Sequence, residues 1–245
     1  MTYNAHSCVG MDRELSHLRI AEVVAAYNPD VVALQELDLS RPRSGYIDQA
    51  ARIAARLEMN FHFHPALRIE EEQYGDALLS WTPMKLVRAG PLPMPSRRLI
   101  PMETRGALWV SVEFGRQELQ IITTHLGLLR RERRLQAEAL LGGKWIGNPN
   151  CKPPVVLCGD FNSGPNSQVH RMLTTRLRDA REEKGLRKSG LRTYPSRWPA
   201  LTLDHVFVTG DLIVRKFQVP RTGLTRIASD HLPVIVDIEP GGVGR

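Results

Sequence analysis

Apolar residues along this chain switch repeatedly between two spacings, one of three to four residues and one of two. After Ser16, which can cap a helix, Ile20, Val23, Val24 and Tyr27 fall at i, i+3, i+4 and i+7, and Asn28-Pro29 stops the run. "DVVALQE" (30–36) then reads as a buried strand. A second helix is expected around Ile47, Ala51, Ala54 and Leu57, leading into "FHFHP" (61–65), whose alternation puts Phe on one face and His on the other. Four strands are expected next, at 75–81, 84–90, 106–114 and 118–126, with the glycine-bearing "FGRQEL" as a hairpin turn between the last two. An Arg-rich helix at about 131–142 precedes the strand "PPVVLC" (153–158), a short helix near 166–175, and closing strands at about 202–208, 212–219 and 233–238.

Hairpins mixed with strand–helix–strand units predict an α/β fold of two packed sheets with helices outside. The loops at 142–153 and 184–200 are rich in Gly, Pro and basic residues, but strands of one core lie on both sides, so 1–245 reads as a single domain. A chain of 245 residues buries roughly 70–75% of its unfolded surface, so its core needs no metal or disulfide staple. A hydrophobic share of 42% with 24% charged residues excludes extensive disorder. Cys8, Cys151 and Cys158 lack framework spacing and read as buried apolar side chains in a reducing, cytoplasmic setting. No run approaches ~18 apolar residues and no charged-then-apolar leader opens the chain, so neither a transmembrane segment nor a signal peptide is expected. A monomer is expected.

A net charge of +7 and a pI near 9.7 would attract polyanions. The signal is discounted because 27 of the 33 basic residues are Arg, a skew that GC-rich coding produces without selection for nucleic acid. The runs at Arg130, Arg131, Arg133 and Arg134 and between Arg171 and Arg192 therefore read as solvated faces.

Chemistry enters at the strand ends. Asn4 follows "MTY", Glu36 ends "VVALQE", His125 ends "IITTH", Asp160 and Asn162 follow "VVLCG", Asp204 opens "DHVFV", and Asp230 and His231 sit in "SDHLPV". Ligands of α/β sheets bind just beyond such ends. Each residue has a plainer reading: Asp160 as a turn cap, His125 as a satisfied core histidine, Glu36 as a strand end in solvent. Their joint arrival in this order favours a site. His6, His62 and His64 could bind metal, but no Cys or further His completes a zinc spacing, so they read as structural. Trp81, Trp109, Trp145 and Trp198 read as core or loop anchors.

"TYNAHS", "DVVALQELD", "YGDALLS", "TTHLGL", "GDFNSGP", "LDHVFV" and "SDHLPV" resemble, in order and spacing, the motifs of the endonuclease/exonuclease/phosphatase superfamily, metal-dependent phosphohydrolases with a DNase-I-like fold. The resemblance spans residues 2–238 and implies a four-layer α/β sandwich, two face-to-face β-sheets flanked by helices. It implies Glu36 as principal ligand of Mg²⁺ or Mn²⁺, with Asn4 and Asp230 contributing. It also implies that Asp160, on a tight turn at Gly159, orients and deprotonates water while Asn162 donates to phosphoryl oxygens. Asp204 would orient His231, which stabilises the phosphorane or acts as acid–base catalyst, and His125 would add a second donor. Whether Asp160 or His231 is the base stays open.

Two features depart from the pattern. Asp76 stands where the family has Asn, adding negative charge if it faces the site, and the first strand is short, which suggests a start upstream of Met1. "TTHLGL" followed by "RRERRLQ", with Arg133 and Gln136 a turn apart, resembles the branch of sphingomyelinase-like enzymes and inositol-phosphate phosphatases. The expected activity is phosphodiesterase or phosphatase, on a phospholipid head group, a nucleotide or another small phosphodiester. A DNA or RNA endonuclease or exonuclease is the alternative, and a catalytically silent phosphate-binding scaffold ranks third.

Overall fold

The computed structural model describes residues 1–96, 103–183 and 191–241; the opening of the loop expected at 184–200 lies outside them. Strands β1 (Thr2–Asn4), β2 (Val31–Leu39), β3 (Asn60–Ile69) and β4 (Glu72–Ser80) form one sheet in the order β1-β2-β4-β3. Strands β5 (Met84–Pro91), β6 (Gly106–Phe114), β7 (Gln117–His125), β8 (Val155–Asp160), β9 (Arg178–Asp179) and β10 (Asp204–Val208) form the other, ordered β5-β6-β7-β8-β10-β9. β11 (Leu212–Gln218) and β12 (Ile235–Pro240) pair as a separate ribbon. The helices are α1 (His17–Ala25), α2 (Gln49–Leu57), α3 (Arg130–Leu141), α4 (Gln168–Leu173) and α5 (Gly223–Ala228).

The two-residue period of the strands sorts their side chains into three apolar seams, and three seams make four layers. Val32 and Leu34 of β2 and Ala77 and Leu79 of β4 face Ile20, Val24, Ile53 and Leu57 of α1 and α2. Ala33 and Leu78, between them in sequence, point the other way and meet Leu108, Val110, Ile121, Val156 and Val206 of the second sheet. On that sheet the alternate positions Trp109, Ile122, Leu157 and Phe207 pack on Ala137 and Leu140 of α3 and Leu173 of α4. The result is the four-layer sandwich that the sequence implies.

Helix starts follow their caps. Ser16 accepts from the Arg19 N–H, and Asp48, one residue past the expected start at Ile47, accepts from Ala51. α5 was not expected; Thr222 and Thr225 bond reciprocally at its start, and only six residues follow. All three cysteines are buried thiols. Within the Arg171–Arg192 run, read as a solvated face, Asp179 and Arg181 are instead buried and paired.

Candidate active site

One row of the site is set by strand register. β7 and β8 run parallel with His125 opposite Asp160, while β8 and β10 run antiparallel with Asp160 opposite Asp204. Neighbouring strands lie ~4.8 Å apart, so a histidine and two acids distant in sequence become lateral neighbours. The turn expected at Gly159 is absent. Gly159 lies inside β8 at φ +141°, where a Cβ would sit 1.9 Å from the Thr124 carbonyl oxygen, so the glycine permits the close approach of β7. Asn162, just past the strand, takes φ +46°, and its backbone N–H donates to Asp160 Oδ1 at 2.8 Å.

Glu36 reaches the same pocket by a different device. The β2–β4 register shifts between Leu34 and Leu37, so that Gln35 and Glu36 together oppose Asp76, a β-bulge, with Glu36 in the left-handed region at φ +61°. Gln35 then points between the sheets and donates to Thr123 Oγ1 at 3.0 Å, while Glu36 keeps a partly open carboxylate. The strand continues to Leu39 instead of ending at Glu36.

Asn4 joins the two halves. Its Nδ2 donates to Glu36 Oε1 at 2.8 Å and to Asp160 Oδ2 at 3.0 Å, and its Oδ1 accepts from the His6 N–H at 3.0 Å. It therefore offers nitrogen to the carboxylates where the sequence reading expects an oxygen ligand. Ser229 Oγ donates to the Asn4 carbonyl at 2.7 Å and accepts from the His231 N–H at 3.2 Å, tying the chain's two ends together. Asp230 lies beside this junction with its Oδ1 3.8 Å from His6 Nδ1.

The charges are unevenly matched. Burial, and then repulsion from Asp204, push the Asp160 carboxyl above the usual range even though His231 opposes the shift. His231 bonds Asp204 Oδ2 through Nδ1 at 2.8 Å and turns Nε2 to Asp160 Oδ2 at 3.6 Å. Burial alone would lower its pKa, but Asp204 and then Asp160 raise it, favouring the imidazolium. Asp76 does face the cluster: burial pushes its carboxyl up to about 7 against the pull of Arg105, with Glu36 adding repulsion.

His125 is surrounded by donors. Arg105 Nη1 lies 3.1 Å from its Nδ1 and Asn162 Nδ2 3.0 Å from its Nε2, while that amide also donates to the Leu126 carbonyl at 2.9 Å. Burial first, then Arg105 and His231, hold His125 well below its ordinary pKa, so the ring is neutral and has one acceptor nitrogen for two donors. One donor is left over, a demand that an anionic oxygen would meet.

Among the described residues, two groups in this pocket place potential ligand atoms within 4.8 Å of one another: Glu36, His125 and Asp160, and Asp160, Asp204 and His231. Asp230 belongs to neither. His6, His62 and His64 also stand outside such groups; His62 Nε2 lies 3.2 Å from the Met84 carbonyl oxygen and His6 Nδ1 3.0 Å from that of Val9.

Comparison with known proteins identifies the family. A model of the endonuclease/exonuclease/phosphatase family matches residues 1–231. The chain belongs to that family. The uncharacterized protein YbhP of Escherichia coli K12 is 28% identical over 141 residues, 56% of this chain and 53% of its own length. The chain thus spans about half the length of the curated relatives it matches first. A family member from Beutenbergia cavernae is 26% identical in its crystal structure, with a TM-score of 0.75 over 98% of this chain and 71% of that one. A mannosyl-6-phosphatase of Bacteroides thetaiotaomicron shares the fold at 18% identity, with a TM-score of 0.76 over 97% of both chains.

Three residues near the centre carry no signal that sequence reasoning picked up. Arg105 leaves its mark only as a cation just before β6. Tyr194 packs its ring 4.9 Å from that of His231. Ser229 precedes the Asp-His pair, and its hydroxyl role is visible only in three dimensions. Asp76, by contrast, is legible in the sequence as a departure from the family motif, and it does bring its charge to the cluster.

Proposed function

We propose that this chain is a divalent-metal-dependent phosphoric ester hydrolase, a phosphodiesterase or phosphatase in which water attacks phosphorus. The observation that carries the reading is the imbalance around Asp160. Carboxylates of Glu36, Asp160, Asp204 and Asp76 crowd one pocket, and the buried Asp204 Oδ1 finds no hydrogen-bond partner among the described residues. Such a set of hard oxygens without thiolates fits Mg²⁺ or Mn²⁺. Glu36 would hold the ion with Asp160 beside it, and Asn4 and Asp230 would support its edge. When bound, the ion supplies Lewis-acid polarisation of the phosphoryl group, worth several kcal/mol.

The chain's own residues divide the remaining work. Asp160 orients the water and accepts its proton as the new P–O bond forms and the ester oxygen departs. A positioned base of this kind supplies ~10²- to 10⁴-fold. Asp204 holds His231 in the orientation that presents Nε2–H to the phosphoryl oxygens. Asn162 and the donor-rich His125–Arg105 pair complete the cradle for the anion.

The test is turnover of bis-p-nitrophenyl phosphate and p-nitrophenyl phosphate by the EDTA-treated chain, with Mg²⁺ or Mn²⁺ restored. Hydrolysis that survives EDTA removes the metal from the proposal; absence of hydrolysis with either ion removes the activity. A nuclease reading draws on the basic surface, and salt separates the two. A protein neutralising several phosphates loses orders of magnitude in affinity between low and moderate salt, whereas small-ester turnover stays nearly constant.

A further inference from the structure

The loops that leave the site's strands carry a second kind of chemistry. The three most exposed bulky apolar side chains among the described residues are Trp198 at 82%, Leu128 at 69% and Tyr46 at 69%. Each belongs to a different loop; two of the loops are fastened to site residues and the third to the turn that follows Asn4. The loop after β7, carrying Leu128 and the exposed Leu129, is held by the Leu126 N–H on the Asp160 carbonyl at 2.8 Å. The Trp198 loop is held by Tyr194 against His231 and by the Ser196 N–H on the Asp230 carbonyl at 2.6 Å. The Tyr46 loop is held by Arg43 Nη2 on Ser7 Oγ at 2.9 Å, three residues beyond Asn4.

Arginines stand next to these side chains. Arg130 and Arg131 follow Leu128 and Leu129, and Arg192 and Arg197 lie in the Trp198 loop; all four are exposed and form no ion pair among the described residues. Trp198 therefore departs from the expected role of core or loop anchor, whereas Trp109 and Trp145 are buried and Trp81 Nε1 donates to the Pro29 carbonyl.

We infer that this loop surface docks on an anionic lipid surface, with Trp198, Leu128, Leu129 and Tyr46 entering the interfacial layer and the four arginines meeting the acidic head groups. Aromatic rings settle at the head-group level, aliphatic side chains gain by leaving water, and each nearby cation adds attraction. The paired leucines decide against nucleic acid as the occupant, because they have no π-face on which a base stacks. Docking in this pose turns the mouth of the pocket to the head-group layer, where a phosphoester sits within reach of Asp160. Only that last step rests on the proposed hydrolysis; docking is read without turnover.

The experiment mixes the full chain with vesicles of phosphatidylcholine, alone or with phosphatidylglycerol, and follows co-sedimentation and tryptophan emission. Binding only to the anionic vesicles is expected, with a blue shift that Trp198→Phe removes. The Leu128→Ser/Leu129→Ser pair weakens binding, and Arg130→Gln/Arg131→Gln lowers partitioning about thirty-fold. Hydrolysis of soluble bis-p-nitrophenyl phosphate stays unchanged in each variant. Equal binding to both vesicle types, no binding, or variants that bind like the parent overturns the inference. So does a single-stranded oligonucleotide that abolishes the Trp198 shift at equal lipid. If the parent binds anionic vesicles but hydrolyses no soluble ester, the proposed function fails while the docking surface stands.

Discussion

Asp204 and His205 are consecutive residues of β10, yet they serve two carboxylate–histidine clusters of opposite character. Asp204 points to Asp160 and His231; His205 points to Asp179, which also receives His170. Both triads could hold a metal on residue type and spacing alone. The donor inventory separates them. Asp179 Oδ2 is met by His170 Nε2 at 3.0 Å, His205 Nδ1 at 3.3 Å and Arg181 Nη2 at 2.7 Å, and its Oδ1 accepts the Arg181 N–H at 2.9 Å. Burial would raise its pKa, but these bonds and charges outweigh burial and hold the carboxyl far below the usual range. Asp160 has acids for neighbours and is shifted upward. One cluster is saturated and the other is short of positive charge, which is the condition for binding a cation and an anionic ester.

The comparison breaks most visibly at Asp160. Asp160→Asn is expected to lower turnover of an aryl phosphodiester by about 10²- to 10⁴-fold while leaving the thermal midpoint no lower than the parent's. Removing a poorly compensated buried charge has no reason to destabilise the fold. A variant that lost its midpoint instead of its turnover would make the two clusters alike.

The saturated cluster should behave the other way. Asp179→Asn leaves Arg181 buried without its counter-ion, and breaking such a pair typically costs about 3–5 kcal/mol. Urea unfolding should register that loss, and the folded fraction should keep its turnover per molecule. Retained stability would mean that the hydrogen bonds around Asp179 do not hold the β9–β10 edge.

How much of this was legible in the sequence depends on whether the information is local. His125, Asp160 and Asp204 announce themselves because each ends or opens an apolar strand, and strand register does the rest. The bulge at Glu36 leaves only a faint mark: in "DVVALQELDL" two polar residues, Gln35 and Glu36, stand side by side between Leu34 and Leu37, a slip of the alternation that does not by itself show the left-handed turn of the backbone. Arg105 acquires meaning only from its distance to His125. The Asp179 cluster was hidden by its surroundings: in "RLRDAREE" a buried acid and a buried arginine look like part of a charged surface. Counting charge along the chain cannot tell a paired buried arginine from a solvated one.

A smaller effect sharpens the contrast without touching turnover. If the pocket around Glu36 and Asp160 is short of a cation, Mg²⁺ or Mn²⁺ should stabilise the fold by mass action, about 2.7 kcal/mol at a free concentration 100 times Kd. For a chain of this size that is a rise of about 2–4 °C per kcal/mol in a thermal scan. Glu36→Gln should lose most of the increment. Asp179→Asn, although less stable at the outset, should gain as much as the parent does, because its cluster has no vacancy to fill. An equal increment lost in both variants would place ion binding at the wrong cluster.

The smallest expected effect is the pH dependence of the Asp179 contribution. The carboxyl titrates lower in the folded chain than in the unfolded one, where Asp titrates near 3.9. Its stabilisation is therefore complete above about pH 3.9 and shrinks as the pH falls from there toward the folded value, where both states become protonated. The difference in unfolding free energy between the parent and Asp179→Asn should accordingly be constant from neutral pH down to about 4 and narrow below it. The Asp160→Asn difference has no reason to follow that course, because the folded pKa of Asp160 is displaced upward. Two urea series, one near neutral pH and one below about pH 3.9, decide the matter: a gap that persists unchanged into acid would mean that Asp179 contributes packing and neutral hydrogen bonds, not the buried charge on which the distinction between the clusters rests.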